Sequence, residues 1–459
     1  MHRQQVVWVG IVVVLVLSCS LGCGMCIPPA ASEEQAATAA PARTTATSQP
    51  PTETASDSDG SGAFGTPIVT GAWRITGTDV PELASFDDTM RAFMQEHGIS
   101  AGALAVTYEG RLIMAHGYTW DEDQSYATQP TSLFRIASLS KPVTAAAVLN
   151  LIEEGQLDLD TRITDVLTFI APEGQSLDPR LDEVTVAHLL YHQGGWDIDA
   201  LGYDPMFHDF QIAGSLGVPL PISQADIMAY MSGVPLSYDP GTQYAYSNYG
   251  YMLLGRIIEA VSGQPYETNV KQQVLAPLGV THMQLGRSLP EDRLPGEVAY
   301  HSDFVGPTVF DVSGTLVPWP DGGWNLENMD AHGGWVADVI DMARFSASFD
   351  QPASHPVLTQ ESIATMFAPP PGTVDEGYYY AMGWEVRSFG DGAMTTWHSG
   401  SLDGTLTLMV RRYDGVGWVV FFNERESESD PSGDGYWEID DLLHGAADAV
   451  RSWPDNDLF

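Results

Sequence analysis

Runs with the residue types and alternation of β-strands lie at the two ends of this chain, and helical periodicity dominates the middle. Near the start, Ala101 to Tyr108 and Leu112 to Tyr118 are separated by Glu109-Gly110-Arg111, which reads as a hairpin turn. Near the end, Ala393 to Trp397, Thr405 to Arg411 and Gly417 to Phe422 follow one another, the last two joined through Tyr413-Asp414-Gly415. These runs predict an α+β fold: one antiparallel sheet built from both chain ends, helices on its faces, and an inserted, mostly helical region. A first helix is expected after Ser85 and Asp88, spaced as a capping box, with Phe86, Met90, Phe93, Met94 and His97 at helical intervals until Gly98. A last helix runs from about Tyr436 to Ser452. Between them the clearest helices are Pro142 to Glu154, Tyr249 to Val261 and Asp338 to Phe349. Residues 197–222 and 286–330 read as long loops rich in Trp, Tyr, Pro and Gly, which are expected to wall a cleft.

The 459 residues suffice for a large core, but not all of them belong to it. His2 and Arg3 precede an apolar run from Val6 to Leu17, the charge order and length of a secretory signal, so residues 1–26 are read as a signal peptide. All three cysteines fall at its exit. Ser20-Leu21-Gly22-Cys23 resembles a bacterial lipoprotein signal and Val16-Leu17-Ser18-Cys19 is a second match, so a membrane tether through Cys23 or Cys19 stands beside an ordinary signal sequence. Residues 27–70, dominated by Ala, Thr, Ser, Pro and Gly, read as a disordered linker, and 71–459 as the folded domain. That domain contains no cysteine, hence no disulfide framework and no thiol chemistry. These features predict an extracytoplasmic protein: periplasmic, secreted or held to a membrane.

Net charge narrows the partners. At -41 the chain argues against nucleic acid, whose phosphates require clustered Lys and Arg, and against anionic lipid surfaces. Only two lysines are present, and one of them, Lys141, lies in FRIASLSKPVTAAAVLNLIEEG (134–155), where a helix apolar on nearly every side begins. Ser138 and Lys141, three residues apart, share a helix face. A serine in a helix's first turn gains from the positive helix end, and a lysine buried beside it has a depressed pKa and can act as its base. Alone, the pair also fits a helix cap followed by an exposed first-turn residue. A second element is Tyr246-Ser247-Asn248, a phenol and a carboxamide where a loop enters a helix, although tyrosines packing a loop would look the same. A third is Trp397-His398-Ser399-Gly400-Ser401, at the expected end of a strand, where a backbone N–H can meet an oxyanion and His398 a substrate carboxylate or ester.

In this order, Ser138-x-x-Lys141, Tyr246-x-Asn248 and His398-x-Gly400 resemble the motif set of the serine hydrolase family that includes class C β-lactamases, D-Ala-D-Ala carboxypeptidases, D-aminopeptidases and esterases. Phe134-Arg135-Ile136-Ala137, Leu189 through Gly195 and His332-Gly333-Gly334-Trp335 support the likeness, which spans roughly residues 80–425. The resemblance implies a β-lactamase/transpeptidase-like fold and catalysis without a cofactor or metal. It implies Ser138 as the acylated nucleophile, Lys141 as its base, Tyr246 as proton carrier, and Asn248, His398, Gly400 and Ser401 as substrate-binding residues. The amides of Ser138 and Ser401 would form the oxyanion hole. Class C β-lactamases carry a lysine where this chain has His398. A histidine is largely neutral at pH 7 unless paired, so hydrolysis of an ester, D-amino-acid amide or peptide bond ranks above β-lactam hydrolysis. The alternatives are a β-lactamase or penicillin-binding carboxypeptidase, and a non-catalytic ligand-binding member of the family. The spacing Asp430-x-Ser432-x-Asp434-Gly435, with Glu438 and Asp441, mimics a calcium loop, but Pro431 and the preceding strand favour a solvated acidic loop.

Overall fold

The computed structural model describes residues 73–459 apart from 121–125, 351–356, 373–376, 391, 426–429 and 431–432. The expected signal segment 1–26, with Cys19 and Cys23, and the linker 27–70 lie outside the described residues, as does part of the acidic loop 430–441. No helix among the described residues is long and apolar enough to cross a membrane.

Both ends of the domain enter one sheet. From the N-terminal end come β1 (Trp73–Gly77), β2 (Ala101–Tyr108) and β3 (Arg111–Trp120). From the C-terminal end come β4 (Tyr378–Tyr380), β5 (Glu385–Ser388), β6 (Met394–Leu402), β7 (Thr405–Arg411) and β8 (Val416–Phe422). Their spatial order is β1-β3-β2-β8-β7-β6-β5-β4. Every neighbouring pair is antiparallel. Glu109 and Gly110, both at positive φ, turn β2 into β3, the left-handed pair that matches strand twist in a tight hairpin. The two halves join where β2 pairs with β8, from Gly102 opposite Phe422 to Tyr108 opposite Val416.

Side-chain alternation divides the core. On one face Leu104, Val106, Leu408, Trp418, Val420 and Phe422 pack beneath α1 (Ala84–His97) and the C-terminal helix Glu438–Ala449. On the other, Ala103, Ala105, Met409, Val419 and Phe421 face the inserted region. At its centre lies α2 (Ser140–Glu153), buried from Ser140 through Leu149 and at Leu151. This helix has almost no amphipathic stripe because α3 (Asn248–Ser262) and neighbouring segments cover it.

Three expectations need correction. Ser85 does not cap α1: the helix starts at Ala84 straight from the 3-10 turn Pro81–Leu83, so the Ser85 hydroxyl donates instead to the Ala446 carbonyl at 2.9 Å, and Asp88 pairs with Arg91. The stretches 197–222 and 286–330 are not continuous loops. The first holds helices Ile198–Leu201 and Asp209–Leu216, and the second holds a small hairpin pairing Val305–Pro307 with Leu316–Pro318. Finally, β6 does not stop at Trp397. Gly400 and the serines around it remain paired with β7 through Leu402, whereas pairing with β5 ends at Trp397.

Candidate active site

Ser138 is set by a short strand and a strained turn. Phe134–Arg135 pairs with Trp335–Ala337, and the Ile136 N–H donates to the Trp335 carbonyl at 3.0 Å. Ala137 then adopts φ +48°, a left-handed conformation costing an L-residue about 1 kcal/mol or more. The Ser140 hydroxyl holds the bend by donating to the Ala137 carbonyl at 2.7 Å. Ser138 consequently sits in the 3-10 turn Ala137–Leu139, one step before the helix in which the sequence places it, and is half-buried rather than enclosed. Lys141, in the first turn of α2, still shares its face. Their Nζ and Oγ atoms are 2.9 Å apart.

Lys141 is completely buried. Its Nζ lies 2.8 Å from Asn248 Oδ1 and 2.9 Å from the His332 carbonyl. Burial holds the amine's pKa well below the usual lysine value, outweighing the opposing pull of the Asp204 carboxylate. The Tyr246 hydroxyl donates to Ser138 Oγ at 2.8 Å, and burial pushes the phenol well above its ordinary range. Tyr246 and Asn248 arrive together because Ser247 caps α3, its Oγ accepting from the Gly250 N–H at 3.2 Å. The structure therefore brings four sequence-predicted residues, Ser138, Lys141, Tyr246 and Asn248, into one hydrogen-bonded group.

The other three lie on β6, where the side chains of His398 and Ser401 are engaged elsewhere and Gly400 has none. Gly400 is a close-approach position: a Cβ there would collide with Thr407 Oγ1 and the Ile136 carbonyl, pushing the strand away from the turn that carries Ser138. Thr407 Oγ1 already bonds that carbonyl at 2.9 Å. His398 Nδ1 lies 2.6 Å from the Ser399 carbonyl and can only donate there, which leaves Nε2 to accept from the Tyr380 hydroxyl at 2.9 Å. The ring is buried, and burial next to Lys141 lowers its pKa to about 3. It is a neutral strut to Tyr380, not the open contact for a substrate carboxylate that the sequence suggests. The Ser401 hydroxyl accepts from Arg425 at 3.1 Å, and Arg425 also pairs with Asp403 at 2.9 Å.

Two neighbours were not singled out in the sequence as site residues. His192, at φ +55°, brackets Tyr246: its carbonyl accepts the Ala245 N–H at 2.8 Å and its Nδ1 accepts the Ser247 N–H at 3.1 Å. Both His192, in the stretch Leu189 through Gly195, and His332, in His332-Gly333-Gly334-Trp335, belong to the stretches that support the family likeness, and both lie near Lys141. Asp204 accepts from Asn248 Nδ2 at 2.6 Å and from the Met206 N–H at 3.0 Å. It lies in one of the stretches read as loop, where no local pattern marks it. Away from the site, His282, Asp338 and Asp341 converge as a metal set would, but their carboxylates hold the backbone amides of Thr281, His282 and Asp341. We read them as caps.

A family model described as Beta-lactamase matches residues 86–441. Among curated proteins, the chain is similar to penicillin-binding protein 4 of Amycolatopsis lactamdurans, 27% identical over 66% of this chain and 74% of that protein. It is also similar to esterase EstB of Burkholderia gladioli, 30% identical over 52% of this chain and 58% of the esterase. Among solved structures, a D-amino acid amidase of Ochrobactrum anthropi complexed with L-phenylalanine amide aligns with a TM-score of 0.60, at 22% identity, over 80% of this chain and 99% of that one.

Proposed function

The chain belongs to the Beta-lactamase family of serine hydrolases, and from that premise we propose that it is an exported enzyme cleaving an ester, D-amino-acid amide or peptide bond through an acyl-enzyme at Ser138. The observation that carries this reading is the contact of Ser138 Oγ with both Lys141 Nζ at 2.9 Å and the Tyr246 hydroxyl at 2.8 Å. Lys141 takes the hydroxyl proton as Oγ attacks the carbonyl carbon. The oxyanion is met by the amides of Ser138 and Ser401, and the proton passes through Tyr246 to the departing oxygen or nitrogen. Water then attacks the acyl-serine, gives a proton to the same pair of bases, and Ser138 regains its hydrogen. Asn248 positions Lys141 and substrate, while Gly400 keeps β6 close to the turn.

Two features support an uncharged or cationic substrate over an anionic one. His398 is neutral and tied to Tyr380, and the overall charge of -41 repels anions. A penicillin-binding or carboxypeptidase activity is the second reading, favoured by the similarity to penicillin-binding protein 4. A purely ligand-binding role fits less well, because it leaves the Ser138, Lys141 and Tyr246 set without a purpose. We propose further that residues 1–26 export the domain and 27–70 tether it, with Cys23 or Cys19 as the point of lipid attachment.

The test is intact-protein mass after incubation with benzylpenicillin and, separately, turnover of a p-nitrophenyl ester series, each with Ser138→Ala alongside. Rapid ester turnover that vanishes in the variant supports the leading reading. A persistent penicilloyl adduct on wild type with slow ester turnover selects the second. Equal labelling by a fluorophosphonate in wild type and variant rejects Ser138 as nucleophile.

A further inference from the structure

Asn248 sits between two groups of unlike chemistry, Lys141 Nζ at 2.8 Å and Asp204 Oδ2 at 2.6 Å. Burial raises the Asp204 pKa, against the Met206 N–H, the Asn248 amide and Lys141, which lower it; as a carboxylate it has no hydrogen to donate, so the NH2 end of the amide faces Asp204 and its oxygen faces Lys141. Lys141 therefore gives one N–H to Asn248. The His332 carbonyl, at 2.9 Å, is also only an acceptor and takes a second. A neutral amine has two hydrogens and one lone pair. With both hydrogens committed, the lone pair is left for Ser138.

We propose that Asp204 is a positioning residue of this site: its carboxylate decides which end of the Asn248 amide faces Lys141, and so which side of the Lys141 nitrogen faces Ser138. The proposal rests on the reading of Ser138 as nucleophile and Lys141 as base. It adds a direction to the network. Tyr246 donates to Ser138 Oγ at 2.8 Å, Lys141 donates to Asn248 and the His332 carbonyl, and Asn248 donates to Asp204; for a neutral Lys141, the 2.9 Å contact between Oγ and Nζ is then the serine hydroxyl donating to the amine lone pair. Each of the hydrogens named in this chain has one acceptor. Reverse the amide, and its NH2 end would compete with the serine hydroxyl for the same lone pair.

Asp204 is itself held in place, because its other oxygen caps the 3-10 turn Pro205–Phe207 through the Met206 N–H at 3.0 Å. Its charge acts in the opposite sense to its geometry, since a nearby carboxylate favours the ammonium form of Lys141. The other titratable groups around Lys141 are Tyr246, Tyr251, His192, His332 and His398, which burial keeps neutral. Asp204 is thus the acid that trades some basicity control for orientation.

Two substitutions separate these effects. Asp204→Ala removes the acceptor, and kcat/KM for a p-nitrophenyl ester, which reports acylation, should fall on the order of 10–100-fold. Asp204→Asn removes the charge and leaves one oxygen for two donors, Asn248 Nδ2 and the Met206 N–H, so its amide no longer fixes which end of Asn248 faces Lys141. Although isosteric, it should therefore stay on the order of 10-fold or more below wild type, with the acid limb of the kcat/KM profile shifted to lower pH because Lys141 then loses its proton more readily. Loss in both variants together with the shifted limb supports the proposal. Either variant within about 3-fold of wild type, or an unmoved limb in Asp204→Asn, overturns it. Fluorophosphonate labelling keeps the two failures apart. If Ser138→Ala is unlabelled while Asp204→Ala labels at the wild-type rate, this inference falls and Ser138 stands. If Ser138→Ala labels like wild type, the reading of Ser138 falls and the inference with it.

Discussion

Ser138 has two unlike sides. Towards the helical region its neighbours are side chains aimed at one another: Lys141, Tyr246 and Asn248 share hydrogen bonds of 2.8–2.9 Å with it or among themselves. Towards the sheet its neighbour is a strand whose side chains are already engaged, His398 by Tyr380 and Ser401 by Arg425, and whose Gly400 contributes by having no side chain. The difference indicates a division of labour. Proton transfer needs side chains whose charge can be tuned, whereas an oxyanion needs only backbone amides held at fixed distance. The helical side should therefore be sensitive to chemistry and the strand side to shape.

Substitutions can sharpen or break that contrast. Lys141→Met keeps the bulk and removes the base, and kcat/KM for esters should drop by roughly 1,000-fold or more, read as both turnover and fluorophosphonate labelling rate. In wild type the same rate should rise with pH through a limb well below the usual lysine range, because burial favours the neutral amine and activity requires it. A limb near the ordinary lysine value would contradict a neutral Lys141. Tyr246→Phe removes the phenolic proton from the shortest contact to Ser138 and should cost about 100-fold in the same assay.

On the strand side, Gly400→Ala should be the damaging change. Its Cβ must displace the Thr407 hydroxyl or the Ile136 carbonyl, so melting should show a loss of about 1–3 kcal/mol along with an activity loss near 10-fold. Ser401→Ala leaves the strand backbone in place and should stay within about 3-fold of wild type. A Ser401→Ala loss comparable to that of Lys141→Met would end the distinction. Smallest of all is the expected effect of protonating His398. With its pKa at about 3, the preference between an anionic and a neutral ester should not change from about pH 8 down to about pH 5.

The same contrast explains what the sequence could disclose. Ser138, Lys141, Tyr246 and Asn248 are legible because each sits at a helix start, where local pattern and chemistry coincide. The strands and the buried helix are legible too, since period and apolar content do not depend on distant partners. His398 misleads because only the fold reveals Tyr380 against its ring. Gly400 and the serines beside it read as a strand end, yet pairing with β7 carries the strand through them. Ser85 and Asp88 have the spacing of a cap, but the preceding 3-10 turn has already begun the helix. Asp204 had no local signal at all: its meaning comes from Asn248, 44 residues away.

The pairing of β2 with β8 joins residues more than three hundred positions apart. Closing such a loop costs about 5 kcal/mol of chain entropy beyond a constant, which a large core can absorb, but the delay is harder to avoid. During synthesis the hairpin of β2 and β3 appears early and must wait, one edge unpaired, until nearly the whole domain has been made. Such an edge is an invitation to mispairing. A chain shortened before β8 would lack the partner that joins the two halves of its sheet, so the last strand to be made is also the one that commits the domain to its native form.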